Sequence, residues 1–281
     1  MNVPLPHLRL GLIGDNIAAS SSPRLHRLAG RQAGVEVSYD SLVPPQMGQA
    51  FPAVLAGCAA QGYRGVNVTY PYKEVAAGLV RIPDPLVQAI GAVNTVIFGP
   101  EGPEGHNTDH SGFIAAYRAA RGNRAPGPVL MIGTGGVGRA VAFGLLALGV
   151  TDLRLCDRDP AKAEGLAQAL RAARPGVMVR TGTPEALADG AEGLVNCTPL
   201  GMVGNPGTPL PAALMQGAAW AFDAVYTPAD TQFLTDAAAA GAAPLSGWEL
   251  FFWQGAHAWE RFFGRAPDLA RLRADLLDGV S

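Results

Sequence analysis

The sequence has few of the residues that build metal centres or disulfide frameworks. Among its 281 residues are three cysteines and five histidines, and Cys58, Cys156 and Cys197 lie too far apart to form a metal-binding motif. The odd number of cysteines argues against a disulfide framework, so we expect buried, reduced thiols in a cytoplasmic protein. We predict no metal site.

Long apolar runs and a strong net charge are also lacking. No stretch approaches the roughly 20 apolar residues of a membrane-spanning helix, and the start, MNVPLPHLRLGLIG, lacks the pattern of a signal peptide. The 21 basic and 23 acidic residues nearly balance, so neither a nucleic acid nor a membrane is expected as a partner. We expect a small-molecule ligand, and we leave the assembly as a monomer or a homodimer.

Residues 129–157 contain a strand, a glycine-rich turn, a helix, a second strand and an acid in that order. The apolar run Val129–Ile132 predicts a buried strand, and Gly133–Gly138 follows as a G-x-G-x-x-G. A helix and a second strand then lead to Asp157, 157 − 138 = 19 residues after the last glycine. This order is typical of a dinucleotide-binding βαβ unit, which we favour over a purely structural glycine turn.

The glycines of this turn have separate physical roles. Gly133 allows a sharp turn, Gly135 lets the backbone approach a pyrophosphate, and Gly138 lets the helix pack closely on the strand. Phosphates would then bind the unpaired N–H groups at the positive end of the helix. We assign Gly136 and Val137 to the same cofactor-binding turn.

The rest of the chain alternates strands with helices, which predicts an α/β fold of two domains. We predict an N-terminal α/β substrate domain with a largely parallel sheet over 1–109, to which C-terminal helices over 247–281 return. A Rossmann-type dinucleotide-binding domain is predicted over 110–246, with a helix over Pro160–Ala173.

Four local features are predicted within these domains. Ser22 is expected to cap a helix that begins at Pro23. Gly99–Gly105 is expected to form a hairpin-like turn. Trp220–Val225 is predicted as the last strand, and Pro244–Gly247 as a junction.

Clusters of polar residues follow several predicted strands of the first domain. Singly, each has an ordinary structural explanation, such as a helix cap, a turn or a solvated lysine. Together they suit a small substrate that carries hydroxyls and a carboxylate, and a lysine–aspartate pair can move the proton released when an alcohol becomes a ketone. The clusters are Ser20–Pro23, Asn67–Lys73, Asn94–Thr95 and Asn107–Asp109.

Seven stretches that cover nearly the whole chain resemble one family in content and order. They are GLIGDNIAASSSPRLH, GVNVTYPYKE, GAVNT, GHNTDHSGF, VLMIGTGGVGRA, NCTPLGM and GWELFFWQGA. The chain is thereby similar to the shikimate dehydrogenase family, including its quinate/shikimate and aminoshikimate branches. NVTYPYK and GHNTD are the specific motifs, since many families share the glycine turn.

The resemblance implies a role for each matching residue. Ser20 and Ser22 match the pair that holds the substrate carboxylate. Lys73 and Asp109 match the catalytic pair: Lys73 takes the hydroxyl proton as hydride passes to the nicotinamide, and Asp109 holds both in line. The positions that bind ring hydroxyls match Thr69, Asn94 and Gln254.

Which member of the catalytic pair is formally the base stays open. A lysine in water is protonated at neutral pH, so it accepts a proton only where its surroundings favour the neutral amine. Asp109 would favour the ammonium form instead.

Cofactor choice depends on the residues after the second strand of the βαβ unit. Family members that use NADP have Asn-Arg-Thr where this chain has Asp157, Arg158 and Asp159. A carboxylate there accepts hydrogen bonds from the ribose 2′-hydroxyl and repels a 2′-phosphate. NAD is therefore favoured. NADP stays possible because Arg158 is retained. Thr198, in NCTPLGM, also matches the cofactor site.

Two departures from the family pattern bear on the substrate. His110 follows Asp109 where a glycine is frequent, and Trp248–Trp253 is bulkier than the usual G-x-G-M-L-x-x-Q. The bulky residues indicate either a repacked helix or a reshaped pocket. They leave shikimate, quinate and aminoshikimate unranked.

Two other function classes are considered. One is a non-catalytic relative that senses a ligand, which would not need Lys73 and Asp109. The other is a Rossmann dehydrogenase of an unrelated substrate, such as a folate, against which Ser20 and Ser22 weigh. We favour a dehydrogenase of shikimate- or quinate-type hydroxy acids.

Overall fold

A computed structural model of the chain describes residues 6–278. The chain divides into two compact units, of which the first comprises 1–108 with 254–281 and the second comprises 109–253. The predicted domain limits, at Asp109 and Gly247, lie close to these divisions and stay a prediction. Within residues 6–278, no helix combines the length and apolar character needed to cross a membrane.

The element bounds are as follows. The strands are β1 (His7–Ile13), β2 (Glu36–Leu42), β3 (Gly65–Val68), β4 (Thr95–Gly99), β5 (Gly102–His106), β6 (Val129–Ile132), β7 (Asp152–Cys156), β8 (Met178–Thr181), β9 (Gly193–Asn196), β10 (Trp220–Asp223) and β11 (Ala243–Leu245). The helices are α1 (Ser22–Ala33), α2 (Phe51–Ala60), α3 (Lys73–Ala77), α4 (Pro85–Ile90), α5 (Thr108–Arg121), α6 (Gly136–Ala147), α7 (Pro160–Ala173), α8 (Pro184–Leu187), α9 (Gln232–Ala239), α10 (Gly247–Phe263) and α11 (Leu269–Leu277).

The first unit has a five-stranded sheet in the order β2-β1-β3-β4-β5. β1 pairs in parallel with β2 and β3, whereas β4 is antiparallel to both β3 and β5. Alternate residues of β1 face opposite sides: Leu10 and Leu12 pack with Phe262 of α10, and Ile13 packs with Val54 of α2. The C-terminal helices therefore return to this unit as predicted.

Three predictions for the first unit need correction. Gly102–His106 forms β5 and pairs with β4, so only the middle of the predicted turn at Gly99–Gly105 is a turn. Two of the four strand pairings, β3 with β4 and β4 with β5, are antiparallel, so the sheet is less parallel than predicted. The predicted cap at Ser22 is also wrong, because Ser22 is the first residue of α1 and Ser21 is its N-cap. Gly34 ends the helix with a left-handed backbone.

The second unit has a six-stranded sheet in the order β8-β7-β6-β9-β10-β11, in which every pairing is parallel. With β6 counted as strand 1 and β11 as strand 6, this order is 3-2-1-4-5-6, the arrangement of a doubly wound dinucleotide-binding sheet. The order reverses between β6 and β9, so the segments that follow these two strands lie at the point where such folds bind ligands.

Two predictions for the second unit also need correction. β10 ends at Asp223, and Ala243–Leu245 forms a further strand, β11, in what was predicted to be a junction. β11 pairs with β10 through three residues. Trp220–Val225 is therefore neither the last strand nor a strand along its whole length.

Candidate functional site

The glycine turn after β6 is held so closely that side chains are excluded from it. Gly133 has a φ of +96°, and a Cβ there would lie 2.6 Å from the carbonyl carbon of Cys197. A Cβ on Gly138 would lie 2.1 Å from the oxygen of Gly133. These two glycines let the turn pass directly between β6, α6 and the segment after β9.

α6 begins at this turn without a side-chain cap. Gly135 is its N-cap and contributes no capping side chain, and Gly136 and Val137 are half-buried members of its first turn. The first N–H groups of a helix lack intrahelical partners and carry a partial positive charge. The turn therefore fits the pyrophosphate of a dinucleotide, held by the backbone of residues 135–138.

Asp157 follows β7 and is tied to the glycine turn. One carboxylate oxygen, Oδ2, accepts hydrogen bonds from the backbone N and from Oγ1 of Thr134, each at 2.7 Å. The other oxygen, Oδ1, accepts from the backbone N of Asp159 at 3.0 Å. Burial alone would raise the pKa of Asp157, but these hydrogen bonds outweigh it and lower the pKa below its ordinary value.

The side chains of the two residues after Asp157 differ in their contacts. Arg158 is exposed and makes no hydrogen bond or ion pair with any residue in 6–278. Asp159 uses its carboxylate to cap α7, since Oδ1 accepts from Ala161 N at 3.0 Å. Of the two acids, only Asp159 caps a helix.

Thr198 is held by a network of buried polar groups at the ends of β9 and β10. Its backbone N and its hydroxyl donate to Asn196 Oδ1 at 2.9 and 2.7 Å. Asn196 Nδ2 donates in turn to Asp223 Oδ1 at 3.0 Å, and Asp223 also accepts from Val225 N and, at 2.6 Å, from the hydroxyl of Thr231. The network orders both segments that follow these strands.

Asn196 and Asp223 are both fully buried and were not predicted as site residues from the sequence. The signal that could have found them is that each is the last, polar residue of a short buried apolar strand, in GLVN and WAFD. Burial raises the pKa of Asp223 to about 6, although its three hydrogen bonds act in the opposite direction.

We expect Asp223 to make stability depend on pH in a way that Asp223→Asn abolishes. The pKa is 3.8 ordinarily and about 6 in the fold, so this group stabilises the fold fully below pH 4 and loses that stabilisation as the pH rises through 6. The loss is about 3 kcal/mol. Urea unfolding should therefore show the free energy of unfolding of the variant, relative to wild type, rising between pH 4 and 7.

The matched control is Asp230→Asn, in the same segment but exposed, whose difference from wild type should stay flat. If the difference for Asp223→Asn were equally flat, Asp223 would not be held in the way described.

In the first unit, the predicted substrate residues lie on three segments that hydrogen bonds join. Asp15 N donates to Tyr70 O at 3.1 Å, and the hydroxyl of Tyr72 donates to Asp15 Oδ1 at 2.6 Å. Val93 N donates to Lys73 O at 2.8 Å. These hydrogen bonds fix the relative positions of three segments: the serine segment 15–22, the lysine segment 69–73 and the asparagine segment 93–94.

The two predicted carboxylate-binding serines adjoin. Ser20 Oγ lies 3.2 Å from Ser22 Oγ and accepts from Ser22 N at 3.2 Å. Both side chains are half-buried, as are Thr69 and Lys73. Lys73 is the first residue of α3.

Asn94 and Gln254 are also brought together. Asn94 Nδ2 donates to Thr108 Oγ1 at 2.9 Å and lies 3.5 Å from Gln254 Oε1, while Asn94 Oδ1 accepts from Thr108 N at 2.7 Å. Asp109, the next residue, is buried in the first turn of α5 and begins the second unit. The pairing of Lys73 with Asp109 stays a prediction.

Two of the bulky residues of α10, Phe251 and Phe252, are buried and pack against other aromatic rings. The ring of Phe251 stacks on Tyr226 with centroids 5.0 Å apart, and that of Phe252 stacks on Trp248 at 5.6 Å. These contacts favour a repacked helix for those two positions. Among residues 6–278, no cluster of side chains suits a metal ion.

Comparisons with known proteins cover nearly the whole chain. Residues 12–96 match the shikimate dehydrogenase substrate binding domain family. The chain is 37% identical over 277 residues to the quinate/shikimate dehydrogenase (NAD(+)) of Corynebacterium efficiens, covering 95% of this chain and 97% of that relative.

Solved structures agree. The fold matches the quinate dehydrogenase of Corynebacterium glutamicum in complex with NAD with a TM-score of 0.86 and 33% identity, covering 97% and 99% of the two chains. It matches the shikimate 5-dehydrogenase of Thermus thermophilus in complex with NADP(H) and shikimate with a TM-score of 0.85 and 36% identity, covering 97% and 100%.

Proposed function

This chain belongs to the shikimate dehydrogenase family, and we propose that it reversibly oxidises a ring hydroxyl of shikimate- or quinate-type hydroxy acids with a nicotinamide dinucleotide. It is an oxidoreductase with a Rossmann-type dinucleotide-binding unit. The observation that carries the proposal is the joining of the serine, lysine and asparagine segments in the first unit.

The substrate is held through its carboxylate and its hydroxyls. Ser20 and Ser22 offer two adjoining hydroxyl donors that suit a carboxylate. The amides of Asn94 and Gln254, with the hydroxyl of Thr69, offer both donors and acceptors, which ring hydroxyls require.

Lys73 takes the proton of the hydroxyl that is oxidised, at Nζ. Asp109 orients that amine and the same hydroxyl, so that proton transfer needs no rearrangement. When bound, the nicotinamide supplies the acceptor for the hydride that leaves the carbinol carbon. One alcohol thus becomes one ketone, and one proton is released.

NAD is the proposed cofactor, and NADP is the alternative. Hydrogen bonds keep the pKa of Asp157 below its ordinary value despite its burial, so the carboxylate stays negatively charged at neutral pH. A negative charge beside the ribose repels a 2′-phosphate, and a carboxylate oxygen can accept from a 2′-hydroxyl. Arg158, exposed beside it, is the feature that would favour NADP. A cytoplasmic location and a monomeric or homodimeric state complete the proposal.

The direct test is stoichiometry. Incubation with NAD and shikimate or quinate should yield reduced nicotinamide and ring ketone in equal amounts. Binding of the hydroxy acid without either product would support the ligand-sensing alternative instead.

We expect Ser22→Ala to weaken substrate binding without slowing the chemistry. Loss of one hydroxyl donor to a charged carboxylate should raise KM for the hydroxy acid roughly 10- to 100-fold while kcat changes little. Steady-state kinetics measure both. Ser21→Ala is the matched control, since Ser21 is adjacent and its side chain makes no hydrogen bond with residues 6–278. An unchanged KM for Ser22→Ala would contradict the carboxylate assignment.

A further inference from the structure

We propose that Thr134 determines cofactor specificity by holding the Asp157 carboxylate in the orientation that accepts a ribose 2′-hydroxyl and excludes a 2′-phosphate. The inference rests on the proposed function, in which NAD is the cofactor. Thr134 is the second residue of the glycine turn, G-T-G-G-V-G, and the proposed function gives it no role.

The contact is a two-point clamp. The backbone N and the hydroxyl of Thr134 both donate to one oxygen of Asp157, each at 2.7 Å. Thr134 is only 2% exposed, so its hydroxyl cannot exchange this partner for water without opening the turn. Hydrogen bonds to an ionised acceptor are about twice as strong as neutral ones, so the clamp fixes the carboxylate plane.

The clamp also determines how many acceptor sites remain. Each carboxylate oxygen offers two lone pairs. Thr134 takes both sites on Oδ2, and Asp159 N takes one site on Oδ1 at 3.0 Å. One site on Oδ1 is left, which suits one hydroxyl donor of the ribose.

A 2′-phosphate cannot use that site. It carries close to two negative charges at neutral pH and has almost no proton to donate. Held by Thr134, the Asp157 carboxylate cannot turn away, so its charge and its lone pair both oppose the phosphate.

Removal of the hydroxyl should release this constraint. The backbone N–H groups of residues 134 and 159 still donate to the carboxylate, but without the hydroxyl it is held less tightly and can tilt towards Lys162, whose charge already acts on Asp157. Arg158 is exposed and unpaired among residues 6–278. Its positive charge would then attract a 2′-phosphate against weaker repulsion from Asp157. Thr134 is therefore a positioning residue that acts through Asp157.

The test is the dissociation constants of NAD and NADP, measured by titration calorimetry without substrate. Thr134→Val keeps the shape of the side chain and removes the hydroxyl, whereas Thr134→Ser keeps the hydroxyl. We expect Thr134→Val to bind NAD roughly tenfold more weakly and NADP at least as tightly as wild type. Thr134→Ser should restore the wild-type ratio.

Two outcomes would overturn the inference alone. If Thr134→Val weakened both nucleotides by the same factor, the residue would only shape the turn, because the pyrophosphate is common to both. If it left both dissociation constants at their wild-type values, the clamp would not set specificity. A wild-type protein that binds NADP more tightly than NAD would overturn the proposed cofactor preference as well, so the two failures are distinguishable.

Discussion

Replacing Lys73 by alanine is expected to lower kcat by about 10²- to 10⁴-fold while the dissociation constant of NAD stays almost unchanged. Lys73 belongs to the first unit, whereas the residues assigned to the dinucleotide belong to the second. Its loss removes the group proposed to take the hydroxyl proton, so no positioned side chain would accept that proton as the alcohol becomes a ketone.

The matched control is Glu74→Ala, the next residue of α3, which is exposed. It should keep kcat within about twofold of wild type. Steady-state rates combined with calorimetric NAD titrations separate chemistry from binding. Turnover that persisted in Lys73→Ala would contradict the assigned mechanism, and a wild type that binds ligand but shows no turnover would leave Lys73 without a catalytic role.

Replacing Gly138 by alanine is expected to weaken NAD binding by roughly 100-fold or more. The new Cβ would lie 2.1 Å from the carbonyl oxygen of Gly133, so backbone must move. Gly133 cannot give way easily, because its N–H donates to Cys156 O at 2.8 Å and its Cα faces the backbone of Cys197. The turn that presents residues 135–138 to the pyrophosphate would therefore open.

Gly165→Ala is the matched control for this prediction. Gly165 lies in α7, where a Cβ would meet nothing within 4 Å, so alanine should leave NAD binding unchanged and stabilise the helix by up to about 1 kcal/mol. Calorimetric titration and thermal unfolding of both variants provide the comparison. Equal NAD affinity in Gly138→Ala and wild type would show that the turn does not hold the dinucleotide.

The dinucleotide-binding unit could be predicted because its signals are local. The apolar run of β6, the glycine turn and Asp157 lie within one short stretch of chain, and each part has its own physical requirement. The helix Pro160–Ala173 was likewise predicted with its correct bounds, since Asp159 caps it and Pro160 is suited to its first position.

Features that depend on neighbouring strands could not be predicted in this way. β5 has the sequence GPEGH, with two glycines and a proline, and is a strand because β4 pairs with it. β11 has the sequence APL, with two exposed residues, and forms along the edge of β10. Neither has the alternation or the apolar run that marks a strand.

The same reason explains the missed part of the site. Asn196 and Asp223 are 27 residues apart in the chain and meet only because β9 and β10 pair in register. The clamp of Thr134 on Asp157 likewise joins residues 23 positions apart. Asp157 is recognisable from its place after the strand, whereas no local signal marks Thr134 as its hydrogen-bond partner.

Both the proposed reaction and the cofactor preference are tested by the rate of nicotinamide reduction with NAD and NADP, each combined with shikimate and with quinate. We expect activity with NAD on at least one of the two hydroxy acids, and kcat/KM at least tenfold lower with NADP. A higher kcat/KM with NADP would contradict the role given to Asp157. Absence of reduction in all four combinations would contradict the proposed reaction itself.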